Sequence, residues 1–323
     1  MKLDSIRSEP GIHLDMPAAD YHAMKRLSAS GAWTLADDCA AKFLWQSPWN
    51  PLAERDDKPE FDIGSAAHLA VLEPARFEAA TVIIDAANYR TDKAREARDT
   101  AREAGRIPLL PYQLDIVRAI AGSIRAHPIA AEAFAGGDPE VTLTWCDAGT
   151  DVPCKARVDW LPRHGRWLVD LKTAASANPL KWRDQAARLG YYARAAWYLD
   201  GTEVVSLRRP QEYWFVIVEK EPPYLVSVIA LDEPALEFGR MINRKALDLF
   251  CRCVEQSDWP GYREPGARHD RAFRIGLPPW LLYHLQDRSE AGEFGTAPSR
   301  TTKPIDASLI RAAQKLYSPS PEA

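Results

Sequence analysis

The stretch VDWLPRHGRWLVDLK, residues 158–172, has the pattern of two short strands around a turn. His164–Gly165 suits a two-residue hairpin loop, and folding the chain there places Asp159 opposite Asp170. Directly opposed residues have Cβ atoms about 4.5–5.5 Å apart, where like charges are unfavourable. Lys172 lies two residues beyond Asp170 and therefore points to the same face. Two carboxylates and an amine this close together predict a catalytic site on this face.

The other face of this hairpin is apolar. Trp160 falls opposite Val169, and Val158 and Leu171 continue the same face. Because side chains alternate with a period of two, a slip of one residue would expose this whole set. The apolar pattern and the turn therefore predict the same register independently.

The preceding segment, EVTLTWC at 140–146, predicts a third strand. A turn through residues 147–150 would set Cys146 opposite Asp151 and Glu140 opposite Arg157. Glu140 would then join the polar face of the hairpin, although a one-residue bulge would displace it. The apolar face would receive Val141, Leu143 and Trp145.

A hard divalent cation explains why carboxylates would face each other. Mg²⁺ prefers oxygen ligands and retains several waters, and it can polarise a phosphate and help generate hydroxide. Lys172 could orient the water or stabilise the charge of the transition state. The alternative is a surface hairpin whose Asp and Lys side chains are merely solvated, since a D…D-x-K pattern alone is weak evidence.

Composition sets the limits of these expectations. The chain has 323 residues, 46% of them hydrophobic, a formal net charge of −4 and five cysteines. An odd cysteine count in a long chain favours reduced thiols over a disulfide framework. No apolar run is long enough for a membrane span, and the N-terminus lacks an apolar signal core. We expect a cytoplasmic protein with no membrane partner.

Charge is uneven along the chain. Residues 155–209 contain eleven basic residues against five acidic ones. They could form a solvated helix face, or a local positive field along a DNA path. Arg157 belongs to this set and shares a face with Asp159, which makes it a candidate DNA contact.

The order of predicted elements is helices, three strands, a helix, two strands and a long helix. This order predicts an α/β (α+β) fold in which helices flank a central mixed sheet. The predicted domains are an N-terminal helical segment (1–60), a core (61–263) and a C-terminal extension with short helices (264–323). The stretch WRDQAARLGYYARAAWYLDG predicts one amphipathic helix that ends at Gly201.

At these residues the sequence resembles the PDDEXK nuclease superfamily, and within it the exonuclease VIII (RecE-like) group of prophage exodeoxyribonucleases. The resemblance covers about residues 11–263 and implies a restriction-endonuclease-like core. It rests on four motifs taken together: LSASG (27–31), GSAAHLAVLEP (64–74), the hairpin ending in DLKT (170–173), and YYARAAWYLDG (191–201).

The resemblance implies roles for individual residues. His68, as the His of a G-x-x-x-H segment, would be a metal ligand together with Asp159 and Asp170. Lys172 would be the catalytic lysine, and Glu140 would assist. Without the resemblance, His68 would be an ordinary helix histidine. The implied cofactor is Mg²⁺ or Mn²⁺. No iron–sulfur cluster is expected, because the cysteines flank the core with the wrong number and spacing.

The family helix carries Tyr, then Gln three residues on, then Tyr four later. Here Tyr191 and Tyr198 fit, but Arg194 occupies the Gln position. All three lie on one helix face and are candidate DNA contacts, with Arg194 suited to a phosphate. Core packing is the alternative for the two tyrosines.

The resemblance further implies an activity and partners. The chain would digest linear double-stranded DNA from its ends, 5′→3′, in phage-type recombination. A single-strand annealing recombinase would be a partner, and a homo-oligomeric ring would grip the DNA. The alternatives are a Cas4-like or structure-selective DNA nuclease of the same superfamily, and a catalytically silent DNA-binding module.

Overall fold

The computed structural model describes residues 10–52, 62–206, 208–263, 272–273 and 275–295. The chain divides into two compact units, Met1–Arg268 and His269–Ala323. The strands of the described residues are β1 (Gly11–His13), β2 (Leu27–Ser28), β3 (Thr81–Ile83), β4 (Ile107–Leu109), β5 (Gly137–Cys146), β6 (Pro153–Pro162), β7 (Trp167–Ala174), β8 (Glu212–Glu219) and β9 (Val226–Ala230).

Helices account for most of the remaining described chain. They are α1 (Ala18–Ala23), α2 (Ala29–Trp33), α3 (Ala40–Gln46), α4 (Asp62–Leu72), α5 (Pro74–Ala80), α6 (Asp92–Glu103), α7 (Pro111–Ala126), α8 (Pro128–Ala133), α9 (Pro179–Arg188), α10 (Tyr191–Ser206), α11 (Glu233–Gln256) and α12 (Pro279–Glu290). A π-helical turn, Thr34–Asp38, joins α2 to α3. Among the described residues, no helix combines the length and apolar character needed to cross a membrane.

The central sheet is mixed and has the strand order β1-β5-β6-β7-β8-β9, with the short β2 beside β6. Strands β7 and β8 run parallel, because α9 and α10 carry the chain back across the sheet between them. The β5–β6, β6–β7 and β8–β9 pairs are antiparallel. Strands β3 and β4 form a separate two-stranded parallel sheet, which the sequence did not predict.

Both faces of the central sheet are covered by helices. Alternate residues of β8 enter different cores: Phe215 packs in one with side chains of α9, α10 and α11, and Val216 packs in the other with side chains of α4, α7 and α8. A strand buried on both faces has a continuous apolar sequence rather than an alternating one, as YWFVIV does here. The predicted fold class, a central mixed sheet flanked by helices, is confirmed.

The predicted register of the β6–β7 hairpin is confirmed, because Trp160 pairs with Val169. The connection is longer than predicted: β6 ends at Pro162 and β7 begins at Trp167. The amide of Gly165 donates to the carbonyl oxygen of Pro162 at 2.9 Å, and Gly165 has a φ of 66°. The turn therefore closes on Pro162, and four residues connect the strands instead of two.

The predicted β5–β6 register was wrong by two residues. Cys146 pairs with Pro153 and Thr142 with Arg157, so Glu140 does not lie opposite Arg157. The connection spans a longer loop, in which the amide of Asp147 donates to the carbonyl oxygen of Val152 at 2.9 Å. Because side chains alternate with a period of two, this shift left the predicted faces of β5 unchanged.

The predicted single helix ending at Gly201 is two helices. Gly190, with a φ of 67°, separates α9 from α10, and α10 continues through Gly201 to Ser206. A Cβ at Gly201 would overlap the indole ring of Trp145. This glycine is needed for close packing of α10 on β5, and not as a helix end.

The N-terminal segment contains more than helices. Leu27 of β2 pairs with Cys154 of β6, and Ala32 and Phe43 lie in the same core as the central sheet. In the second unit, α12 is a short helix of the kind predicted for the C-terminal extension. Residues 296–323 of that extension lie outside the described residues, and the predicted domain boundaries remain predictions.

Candidate metal and nuclease site

The candidate site lies where β6 and β7 stop pairing. Two residues beyond the Trp160–Val169 pair, the backbone of Leu171 bonds to side chains instead of to β6. Its amide donates to Asp159 Oδ2 at 2.8 Å, and its carbonyl oxygen lies 2.9 Å from His68 Nε2. Strand backbone groups need partners, so the gap between the strands fixes the positions of both side chains.

His68 reaches this gap from α4. Its Nε2 atom also lies 3.3 Å from Asp159 Oδ2, and its Nδ1 atom lies 3.8 Å from Glu140 Oε1. Histidines that bind metal usually donate their second ring N–H to a carbonyl or carboxylate, which orients the ring. Here Leu171 and Asp159 orient Nε2, so Nδ1 is the nitrogen that can bind an ion.

Glu140 owes its position to an unusual backbone conformation. Its φ is 51°, in the left-handed region that non-glycine residues seldom adopt and that is often found at functional sites. The pairs on either side, Pro139–Trp160 and Val141–Val158, place Glu140 level with Asp159. The backbone therefore turns the Glu140 side chain towards His68.

Arg157 holds the Glu140 carboxylate. Its Nε donates to Glu140 Oε2 at 2.5 Å, and its Nη1 donates to the carbonyl oxygen of Met16 at 2.9 Å. Only 16% of the Arg157 side chain is exposed. The structure thus places this predicted DNA contact in an internal network that orients Glu140.

Asp170 belongs to a second pair of charges. Its Oδ2 lies 2.5 Å from Lys172 Nζ, and its Oδ1 accepts a hydrogen bond from the hydroxyl of Tyr213 at 3.1 Å. The ligand atoms of His68, Glu140 and Asp159 all lie within 4.8 Å of one another. Asp170 is not part of that group, and its expected place as a ligand beside His68 and Asp159 remains a prediction.

Electrostatics keep the site charged. Burial opposes ionisation of Asp159, but the charges of His68 and Lys172 and the Leu171 amide lower its pKa to about 2. Burial lowers the pKa of His68, yet the charge of Asp159 and the contacts of the imidazole with the Asp159 and Glu140 carboxylates raise it to about 10. Burial raises the pKa of Asp170, against the opposing charge of Lys172. An ion at this site would replace the proton on His68.

A cleft of about 570 Å³ opens onto part of this site. Its wall includes residues that the sequence did not single out, Ser65 of α4 and Thr173 of β7, beside His68, Glu140 and Lys172. The volume lies within the range of ligand-binding pockets. A phosphate group entering the cleft would meet the Lys172 side of the site.

The three predicted DNA contacts on α10 face the core around β8. The ring of Tyr191 stacks on Phe215 at 5.6 Å, and the ring of Tyr198 lies 5.6 Å from that of Tyr213. Both tyrosine rings therefore pack in the core, which was the alternative to DNA contact. The Arg194 guanidinium lies 5.4 Å from the centre of the Tyr191 ring, and its buried Nε has no hydrogen-bond partner among the described residues.

Sequence reasoning missed Tyr213. Its neighbour across the sheet is Leu168 of β7, 45 positions earlier in the sequence, and no short turn sets the register of a parallel pair. The alternation in β8 was visible, but the strand it would pair with was not. The sequence could therefore predict that Tyr213 is buried, but not that it lies beside Asp170.

Comparison with known proteins agrees with this architecture. A family model described as "PDDEXK-like domain of unknown function (DUF3799)" matches residues 27–267. The crystal structure of a "putative exonuclease" from Eubacterium rectale superposes with a TM-score of 0.56 at 15% identity, covering 84% of this chain and 98% of that one. At this identity the likeness shows the fold alone.

A second solved structure, that of SSO0001, has a TM-score of 0.26 at 14% identity and covers 58% of this chain and 85% of that one. A TM-score this low does not establish a shared fold. No curated protein matches the chain. The family match spans most of the chain, including every residue of the candidate site. The chain therefore belongs to the DUF3799 family of PDDEXK-like domains.

Proposed function

We propose that this chain is a metal-dependent deoxyribonuclease that digests linear double-stranded DNA from its ends. The observation that carries the proposal is the grouping of His68, Glu140 and Asp159 beside the Asp170–Lys172 pair. The PDDEXK-like family supports this assignment, since its match over residues 27–267 includes all of these residues.

The donor set fits a divalent cation. Glu140 and Asp159 supply carboxylate oxygens, which Mg²⁺ and Mn²⁺ prefer, and His68 adds a nitrogen that suits the transition metals better. Asp159 is held ionised by its partners, as a ligand must be. When bound, such an ion polarises a phosphate oxygen and lowers the pKa of a bound water. Mg²⁺ or Mn²⁺ is therefore the proposed cofactor.

The remaining residues have distinct proposed roles. Lys172 keeps a positive charge beside the cleft, because Asp170 and Asp159 outweigh burial and raise its pKa. That charge stabilises the negative charge that develops on the phosphate. Asp170 fixes Lys172 at 2.5 Å, and the sequence resemblance supports a further role for it as a metal ligand. Arg157 acts on the site through Glu140.

Digestion from DNA ends in the 5′→3′ direction is the finer part of the proposal. The sequence resemblance to the exonuclease VIII (RecE-like) group supports both the digestion from ends and its direction. The fold shared with the E. rectale protein, described as a "putative exonuclease", supports only the digestion from ends. The same resemblance supports a role in recombination with a single-strand annealing recombinase, and a homo-oligomeric ring. Arg194, with its unpartnered Nε, is the proposed phosphate contact on α10, next to Tyr191.

A digestion assay on end-labelled duplex tests the proposal. We expect Mn²⁺- or Mg²⁺-dependent release of nucleotides from linear DNA, and loss of turnover in Asp159→Asn and Lys172→Ala. Asp138→Asn is the matched control, because Asp138 lies on β5, has a side chain that is 40% exposed and makes a long contact of 3.9 Å with Arg163.

Three results would change the assignment. Cutting of closed circular DNA would favour the Cas4-like or structure-selective alternative over an exonuclease. DNA binding without turnover in any metal would favour the silent module, for which Arg194 at the Gln position is the supporting feature. Full activity in Asp159→Asn would show that the site is elsewhere.

A further inference from the structure

Tyr213 makes a contact inside the site. It lies near the start of β8, is 2% exposed, and donates its hydroxyl to Asp170 Oδ1 at 3.1 Å. Burial raises the pKa of Tyr213 well above its ordinary value of 10, so the hydroxyl keeps its proton and acts as a donor. Its ring is fixed between Tyr198, at 5.6 Å, and Phe215, at 4.9 Å.

This hydrogen bond holds one oxygen of a buried carboxylate. Asp170 is 7% exposed, and its other oxygen, Oδ2, is paired with Lys172 at 2.5 Å. A buried charged group is costly unless it is both paired and hydrogen-bonded. Oδ2 accepts no hydrogen bond among the described residues, so the Tyr213 hydroxyl on Oδ1 and the ion pair with Lys172 on Oδ2 are the contacts that orient this carboxylate. Lys172 is positioned with it.

We infer that Tyr213 is a positioning residue for the proposed nuclease reaction, acting through Asp170 to hold Lys172 at the edge of the cleft. The inference rests on the proposed function. Tyr213 itself does not line the cleft, so its effect must pass through the carboxylate. Partners that orient the groups of a metal site typically change metal affinity or activity by about 10- to 100-fold when removed.

Tyr213→Phe tests this inference, because it removes only the hydroxyl and keeps the ring packing. We expect kcat to fall about 10- to 100-fold and the Mn²⁺ concentration for half-maximal activity to rise, with KM for DNA unchanged. Tyr89→Phe is the matched control. It removes a partly buried hydroxyl that donates to the carbonyl oxygen of Pro108 at 3.4 Å, and Tyr89 does not line the cleft.

A second variant separates positioning from folding. Fluorotyrosine at position 213 keeps the side chain in place and makes the hydroxyl a stronger donor, so kcat should change if the hydrogen bond matters. Wild-type kcat and Mn²⁺ dependence in both variants would overturn the inference. A lower kcat in Tyr213→Phe that is fully explained by a smaller folded fraction, together with wild-type kcat in the fluorotyrosine variant, would overturn it as well.

Assays of the wild-type protein separate a failure of the proposed function from a failure of the Tyr213 assignment. If it digests no DNA, the proposed function fails, and Mn²⁺ binding measured by calorimetry in wild type and Tyr213→Phe still tests the positioning of Asp170. If wild type is active and Tyr213→Phe equals it, only the Tyr213 assignment fails.

Discussion

Replacing Lys172 with methionine would show how strongly the structure depends on its pair with Asp170. The charged atoms lie 2.5 Å apart, and the two side chains are 28% and 10% exposed. Removing one partner of a buried pair costs about 3–5 kcal/mol, because the other charge is left uncompensated. Since Lys172 is partly exposed, we expect Lys172→Met to lose about 3 kcal/mol of unfolding free energy at pH 7.

Protonation of Asp170 sets an upper limit to this loss. The unfolded carboxyl has an ordinary pKa of 3.8, and each pKa unit corresponds to about 1.36 kcal/mol. Neutralising Asp170 therefore costs about 4 kcal/mol at pH 7 and about 1.6 kcal/mol at pH 5. Burial raises the folded pKa of this carboxyl, so the penalty grows with pH. The destabilisation of Lys172→Met should be smaller at pH 5 than at pH 7.

Thermal unfolding of the metal-free protein, followed by circular dichroism, measures this effect. One kcal/mol shifts the Tm of a domain of this size by about 2–4 °C, so the expected drop is about 6–12 °C at pH 7. The double variant Lys172→Met/Asp170→Asn should recover most of the Tm without recovering activity. A wild-type Tm in Lys172→Met, or an equal drop at both pH values, would refute the reasoning.

Two further changes follow from single contacts. Arg157→Leu should weaken Mn²⁺ binding about 10-fold, since the Glu140 carboxylate loses its partner; calorimetry that gives wild-type affinity would contradict this role. Gly190→Ala should cost about 3 kcal/mol of stability, because a side chain there is strained at a φ of 67° and would overlap the Trp33 ring. The control Gly165→Ala, at a φ of 66° with nothing within 4 Å, should cost only about 1–2 kcal/mol in urea unfolding.

The sequence alone determined the features that depend on the alternation of apolar and polar residues and on the order of helices and strands. The Trp160–Val169 register followed from apolar alternation and a nearby turn, and the mixed sheet between helices followed from the order of elements. The β5–β6 pairing was predicted wrongly by two residues, but Glu140 still lies on the predicted face, because side chains alternate with a period of two.

Only the tertiary structure decided which charged groups meet. The left-handed backbone at Glu140, the contact of Tyr213 with Asp170 and the grouping of His68 with Glu140 and Asp159 have no local sequence signal. Each depends on strands and helices that are far apart in the chain and on loops whose lengths set the pairing. Alternation fixes the face on which a side chain lies, but the distance between two such side chains is fixed only when the elements pack.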